Sequence, residues 1–330
     1  MIKFSVIIPV YNRPDELSEL LESLKNQTVK NFNVVIVEDG SNLKSDKIVE
    51  AYSGSLDIKY YFKPNSGPGQ SRNYGSERAN GAYHVFFDSD CIIPKRYFEI
   101  VEKRLQEEPV DAYGGPDMAH PDFTPIQKSI NYSMTSFFTT GGIRGGMKNE
   151  KKFHPRSFNM GFTKEVFEKT QGFSKMRFGE DVDMSLRIIE NGFSTTLIKD
   201  AAVYHKRRVD FKKFFKQVYN SGIARINLYK RHPQSLKIVH FLPASFLLGT
   251  IFLLVLSLLS IYFLVPLALF IVIIFMDSLR LNKNLGVAFL SIIASFIQLT
   301  AYGFGFIKSF IKRLILGQDE FHAYKKNFYK

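Results

Sequence analysis

Lys3-Phe-Ser-Val-Ile-Ile-Pro-Val-Tyr-Asn12 is an apolar run that breaks into a polar turn, as expected of a strand buried on both faces. Pro9 has no N–H to give to a ladder, so it belongs at the strand's end. Beyond it, Asp15 is placed to cap a helix whose Leu17, Leu20, Leu21 and Leu24 recur at helical spacing. Phe32-Asn-Val-Val-Ile-Val-Glu-Asp-Gly-Ser41 is a second buried run, ending in two acids and a glycine. A polar helix over about 45–52 and a third short strand over 58–62 follow. The order β-α-β-α-β implies an α/β fold with a doubly wound, mostly parallel sheet.

The next buried run, Val85-Phe-Phe-Asp-Ser-Asp90, ends in two carboxylates one residue apart, on the same sheet edge as Glu38 and Asp39. Ligands of open α/β sheets bind at that edge. Carboxylates this close repel one another unless a cation lies between them. A hard divalent ion with a diphosphate on its far side would satisfy them; a solvated Asp-Ser-Asp turn is the plainer alternative. Asn65-Ser-Gly-Pro-Gly-Gln-Ser-Arg-Asn-Tyr-Gly75 runs into a helix, where free N–H groups and the Arg72 fork could cradle phosphate. Glycines needed only for the turns explain that loop equally well. Neither G-x-G-x-x-G nor G-x-x-x-x-G-K-[ST] occurs, which excludes a Rossmann fingerprint and a P-loop.

A helix is expected over about 94–107, then an irregular segment over 111–156 that includes the flexible Gly141-Gly-Ile-Arg-Gly-Gly146. Ser157–Phe162 reads as a strand leading into a helix over 164–169. Glu180 and Asp181 open a further helix, where acids also serve simply as caps. A last strand over 194–198 and 202–204 ends at His205.

With 330 residues, the chain can form one large domain and an appendage. Its one cysteine, Cys91, rules out an internal disulfide framework and reads as a small buried residue. Met1 leads straight into a strand without a basic stretch, so no secretory leader is expected. The net charge of +13 is uneven: 199–237 holds eleven Lys/Arg against two Asp, and 308–330 holds six against two acids. Both blocks flank the most apolar part of the chain, which points to an anionic membrane surface and not to nucleic acid. Residues 241–276 carry no charge; as one helix they would reach roughly 54 Å, against a hydrocarbon core of about 30 Å. Two helices joined by a turn near Ser260–Pro266 fit better, with a buried core of a soluble protein as the alternative. Arg280 and Lys283 place the loop after the second helix on the cytoplasmic side, as does the basic tail, so the third apolar segment, 285–307, is expected to be re-entrant or interfacial.

Ser5-Val-Ile-Ile-Pro-Val-Tyr-Asn12, Val37-Glu-Asp-Gly-Ser41, the Gly67–Gly75 loop, Asp88-Ser-Asp90 and Gly179-Glu-Asp-Val-Asp183, in that order, closely resemble the family 2 glycosyltransferases of the GT-A fold. The likeness covers about residues 3–210. The apolar segments are similar to those of membrane-attached members that build surface polysaccharides or modify lipids. The resemblance implies a catalytic domain over 1–210, a basic juxtamembrane segment over 211–239, membrane segments over 240–307 (about 241–260, 262–279 and 285–307) and a basic tail over 308–330.

It also implies roles. Pro9, Tyr11 and Asn12 would line the nucleotide pocket, and Asp39 would hydrogen-bond the base or ribose. Arg72 would sit near nucleotide and sugar. Asp88 and Asp90 match the DXD motif that holds Mn²⁺ or Mg²⁺, with Asp90 as direct ligand. His205 matches a third ligand found in some members, or is a structural strand-end histidine. Asp181 matches the general base of an inverting transfer, with Glu180 as runner-up; Asp183, two residues on, points elsewhere on the helix. The expected donor is a nucleoside diphosphate sugar, a UDP-sugar first, and the acceptor a saccharide or lipid-linked saccharide at the cytoplasmic face of the inner membrane. The Q-x-x-R-W motif of processive members is missing: the chain has no tryptophan, and Gln217-Val-Tyr-Asn-Ser221 does not match. Transfer of one sugar per binding event follows. A sugar nucleotidyltransferase would carry a G-x-G-T-R-type loop where Pro9-Val-Tyr-Asn-Arg13 stands, and a non-catalytic scaffold would have no reason to keep Asp88, Asp90 and Asp181 together.

Overall fold

The computed structural model describes residues 3–120, 122–141, 153–206 and 209–321, in two compact units: 3–120 with 153–205, and 122–141 with 206 and 209–321. The first unit holds strands β1 (Phe4–Val10), β2 (Phe32–Asp39), β3 (Ile58–Lys63), β4 (Tyr83–Phe86), β5 (Cys91–Ile92), β6 (Ala112–Gly114), β7 (Asp117–Met118), β8 (Met160–Thr163), β9 (Thr195–Leu197) and β10 (Val203–His205). Its helices are α1 (Pro14–Lys25), α2 (Asp46–Tyr52), α3 (Pro68–Ser76), α4 (Tyr97–Glu107), α7 (Lys164–Thr170) and α8 (Glu180–Glu190). Seven strands form one sheet in the order β3-β2-β1-β4-β8-β6-β9, and β5-β10-β7 form a second. The strands β3, β2, β1 and β4 are parallel, while β8 is antiparallel to both β4 and β6.

Alternation explains why these strands read as unbroken apolar runs. Val6, Ile8, Val34, Ile36 and Val85 pack with Leu17, Leu20, Leu21 and Leu24 on one face of the sheet. Ile7, Val35, Val37 and Phe86 pack with Met160, Phe162, Met184 and Ile188 on the other. With helices over both faces, the strand interiors are mostly apolar, and the buried polar Ser5 and Asn33 satisfy one another (2.7 Å). The acids therefore fall at the strand ends.

Three local expectations differ from the structure. Asp15 lies inside the first turn of α1; Arg13 precedes the helix without a side-chain cap, because Pro14 starts it. The segment 111–156 is not irregular throughout: it holds β6, β7 and, in the second unit, α5 (Pro125–Thr135) and α6 (Phe137–Thr140). The first of these begins with a capping box between Thr124 and Gln127. Of the glycine stretch 141–146, only Gly141 lies within the described residues. Finally, the last strand is two, with β9 in the large sheet and β10 in the small one.

The second unit adds α9 (Phe211–Arg231), α10 (Leu242–Leu256), α11 (Val265–Asn282) and α12 (Leu285–Phe310). Ile238–Leu256, Ile261–Asn282 and Leu285–Ile315 are each long and apolar enough to cross a membrane. Their surroundings differ. The apolar window of the third is 39% buried, against 22% and 11% for the others. Leu258, Leu259, Ile261 and Tyr262, between α10 and α11, are almost fully exposed. The burial of α12 comes partly from α5 and α9: Ile130, Met134, Phe214 and Val218 pack with Ala294 and Ala301. Helices α9 and α12 run side by side in the same direction, tied by Ser309 Oγ donating to the Ile223 carbonyl (3.2 Å) and Arg313 Nε to Asn227 Oδ1 (3.0 Å).

Glycine sets how close that pair comes. A Cβ at Gly305 would meet the Tyr219 carbonyl oxygen at 2.1 Å, and one at Gly222 the Tyr302 carbonyl oxygen at 2.3 Å. Backbone cannot swing aside as a side chain can. Gly305→Val is expected to cost about 1–3 kcal/mol and lower the melting temperature of the detergent-solubilised protein. Gly249→Ala, where nothing lies within 4 Å, leaves it unchanged.

Candidate active site

The carboxyl ends of the parallel strands carry a dense set of charges, and the local sequence explains how each is delivered. At the end of β1 the chain turns through Asn12, which takes a left-handed φ of 53°. Asn12 Oδ1 then accepts from the N–H groups of Asn42 (2.9 Å) and Leu43 (3.0 Å), and its own N–H donates to Ser41 Oγ (2.8 Å). This clamps the first turn to the one after β2 and sends Arg13 across the edge, where its Nη1 meets Asp90 Oδ2 at 2.5 Å. Tyr11 stays exposed, and Pro9, half-buried, lies opposite Val37.

The two acids ending β2 are buried and organise loops. Glu38 accepts from Ser41 Oγ, from the Ser45 N–H (3.0 Å) and from Tyr60 OH (3.3 Å). Asp39 pairs with Lys63 and accepts from the N–H groups of Ser66 and Gly67, both at 2.9 Å. Asp39 thus shapes the start of the glycine loop. Gly67, at φ 90°, takes a conformation open to glycine and leads into α3.

Arg72 on α3 is buried and bridges two acids. Its Nη2 donates to Asp88 Oδ1 at 2.6 Å and its Nη1 to Glu180 Oε1 at 3.1 Å. Asp90, one turn past β4, faces β10: its Oδ1 lies 3.2 Å from His205 Nε2, and Asp88 Oδ2 lies 4.0 Å from the same nitrogen. The imidazole is held flat against Phe158, ring centroids 5.0 Å apart. At the start of α8, Asp181 Oδ2 accepts from Arg156 Nε at 2.6 Å, and Oδ1 from the Val182 N–H at 2.8 Å. Asp183 points away and pairs with Arg187 at 2.9 Å.

The structure therefore brings Asp88, Asp90, His205, Arg72, Glu180 and Asp181 together. Two of its cations were missed. Arg13 follows the Tyr-Asn of the first motif and could have been found there; Arg156 ends the 111–156 segment with no signal around it.

Electrostatics divide the acids. Burial opposes ionisation of Asp90, but His205 and Arg13 outweigh it and hold its carboxyl well below the usual carboxylate range. Burial opposes ionisation of Asp181 too, and the Arg156 guanidinium overcomes it. Glu180 goes the other way: burial and the neighbouring Asp181 charge push it up to about 7, against the pull of Arg72. Burial raises the Cys91 thiol well above its ordinary value, which keeps it a neutral neighbour although its Sγ lies near Asp90 and His205.

Whether this edge suits a divalent cation can be judged from its unmet bonds. Asp90 Oδ1 is buried with no hydrogen-bond partner among the described residues, beside the imidazole nitrogen of His205. Carboxylate oxygens with one imidazole are a donor set for Mn²⁺ or Mg²⁺. Asp88, Asp90 and His205 fit such an ion.

Residues 5–171 match the family model for glycosyl transferase family 2, and the chain belongs to that family. It is 28% identical over 211 residues to the minor teichoic acid biosynthesis protein GgaB of Bacillus subtilis, a match covering 63% of this chain and 23% of GgaB. The chain spans less than a quarter of the length of several curated relatives it matches. Among solved structures it is similar to the mannosyltransferase PcManGT from Pyrobaculum calidifontis in complex with GDP-Man and Mn²⁺ (TM-score 0.67, 16% identity, 94% of this chain and 88% of that one). It is also similar to residues 1–349 of Staphylococcus aureus TarS in complex with UDP-GlcNAc (TM-score 0.54, 21% identity, 96% and 93%). The fold is that of the GT-A glycosyltransferases.

Glu180 supplies a test of the electrostatics. Its folded value lies above the ordinary 4.5, so its contribution to stability is whole below about pH 4.5 and is lost as pH rises through about 7. Glu180→Gln cannot titrate. Its stability relative to the parent is expected to rise by about 1–3 kcal/mol between about pH 5 and pH 8, read by chemical denaturation. A pH-independent difference would contradict the raised value.

Proposed function

We propose that this chain is a membrane-attached, inverting, metal-dependent transferase that moves one sugar from a nucleoside diphosphate sugar to a hydroxyl acceptor. The observation that carries this reading is the convergence of Asp88, Asp90 and His205 with Arg72 and the Glu180–Asp181 pair on one sheet edge. PcManGT with GDP-Man and TarS with UDP-GlcNAc support a nucleoside diphosphate sugar as donor, and a UDP-sugar is our first choice. GgaB, named for minor teichoic acid biosynthesis, supports a cell-surface saccharide, lipid-linked in our reading, as acceptor.

In this reading Pro9, Tyr11 and Asn12 border the nucleotide. Asp39 holds the glycine loop that borders it too, and reaches base or ribose through its remaining lone pairs. Asp88, Asp90 and His205 would hold Mn²⁺ or Mg²⁺, which when bound would neutralise charge growing on the leaving diphosphate. Arg72 adds a fixed positive charge on the same side while staying paired to Asp88 and Glu180. Asp181 takes the proton of the acceptor hydroxyl. The acceptor oxygen bonds to the anomeric carbon as the bond from that carbon to the diphosphate breaks, and the nucleoside diphosphate leaves with the electron pair. Attack from the face opposite the leaving group inverts the carbon. Glu180, drawn to Arg72 and protonating near neutrality, is the weaker candidate for the base.

In the second unit, α10 and α11 are read as the two crossings. Helix α12 is read as interfacial or re-entrant, since α9 lies along it with Lys212, Lys213 and Lys216 exposed, and hydrocarbon would not take those charges. The catalytic domain over 1–210 would then face the cytoplasm, at the inner membrane, as the basic residues at 280, 283 and 308–313 favour.

Asp181→Asn is expected to lower transfer by about 10²–10⁴-fold while nucleotide-sugar affinity stays nearly intact. Asp90→Ala should weaken metal-dependent nucleotide binding as well. Both are measured by product formation alongside calorimetric donor binding. Normal transfer by the Asp181→Asn protein would remove Asp181 from the role of base and bring Glu180 forward.

A further inference from the structure

Two neighbouring acids, Glu180 and Asp181, start α8, and each receives a guanidinium from a different element: Arg72 from α3, and Arg156 from the segment ahead of β8. We propose that Arg156 is a positioning residue for transfer, which aims the Asp181 carboxylate and keeps it a carboxylate. The proposal rests on the reading of Asp181 as the base.

The backbone that carries Arg156 is fixed from two sides. Ser185 Oγ, one turn along α8, donates to the Pro155 carbonyl, so the helix that bears the base also grips the residue before Arg156. On the other side Arg156 forms a bridge with Asn159, whose buried amide donates to the Ala201 carbonyl (2.8 Å) and accepts from Tyr97 OH (2.6 Å). The guanidinium therefore arrives at Asp181 from a held platform.

The contact is also specific. Nε meets Oδ2 at 2.6 Å, while Oδ1 accepts the Val182 N–H, so both oxygens are engaged and the carboxylate has one orientation. Each carboxylate oxygen carries two lone pairs. Oδ2 thus keeps one for an acceptor hydroxyl, and the Arg156 and Asp181 side chains are 38% and 13% exposed.

Without Arg156, Asp181 would share the situation of Glu180: a buried acid beside a negative neighbour. The charged groups facing Asp181 are Arg156 from its segment, Arg72 from α3 and Glu180 on α8; Arg156 in turn also faces Asp117 on β7. Of the two cations, Arg72 is already shared between Asp88 and Glu180. Arg156 is the one given to Asp181 directly. It splits the pair, so that one acid protonates near neutrality and the other stays ionised to accept a proton.

The test compares kcat against pH for the full chain, Arg156→Gln and Arg156→Lys, with donor affinity measured in parallel. In Arg156→Gln, kcat should fall by about 10-fold or more, with donor affinity within about twofold. Its acidic limb should move up by about one pH unit, because the base then holds its proton to higher pH. Arg156→Lys should recover part of that shift, and it carries the test if the Gln variant does not fold. An unmoved acidic limb, whatever happens to kcat, would make Arg156 a purely structural contact and overturn the proposal. Failure of the base reading looks different: Asp181→Asn would then transfer normally.

Discussion

Four carboxylates crowd one edge of a sheet, and the site depends on how their repulsion is met. Two like charges about 4 Å apart near a protein surface repel by roughly 4 kcal/mol. Asp88, Asp90, Glu180 and Asp181 would not be held together without Arg13, Arg72 and Arg156, each arriving from a separate element. Arg72 is the centre of the arrangement, since it joins the end of β4 to the start of α8. The cations do more than cancel charge. They give each acid a different environment, so that Asp90 and Asp181 stay ionised while Glu180 protonates near neutrality.

The sheet makes this crowding possible. Helices cover both faces, so its strand interiors are mostly apolar, and the acids fall at strand ends. Parallel strands then bring those ends to a common edge. The small second sheet adds what the large one lacks: β10 pairs antiparallel with β5, setting His205 opposite Cys91 and so beside Asp90. That pairing is how a residue 115 positions after Asp90 comes within 3.2 Å of it.

Much of this was legible in the chain itself. The runs at 4–10, 32–39 and 58–63 are strands because largely apolar runs of that length admit few other readings, and Glu38 and Asp39, which end the second, mark the edge. Family resemblance then pointed to Asp88, Asp90, Asp181 and His205; the family it named is the one whose model matches residues 5–171. What was not legible was long-range. Nothing around Arg156 announces a partner 25 residues on, and Arg13 looks like the end of a turn until β1 and β4 lie side by side. The 111–156 segment was misread for a different reason. Its apolar residues at 126, 130 and 134 have helical spacing and a Thr-x-x-Gln box precedes them, but prolines and glycines on either side masked the signal. The strand near 200 was split because a turn over Ile198–Ala201 redirects it from one sheet to the other.

The central claim is that the edge holds a nucleoside diphosphate sugar through a divalent ion on Asp88, Asp90 and His205. Its most direct test is calorimetric titration of the purified protein, in detergent, with a panel of nucleotide sugars, first with Mn²⁺ and then with EDTA. The account predicts binding of one donor with Mn²⁺ and at least a tenfold loss of affinity with EDTA, on the order expected when a metal bridge is removed. Equal binding with and without the metal, or no binding by folded protein across the panel, would contradict it.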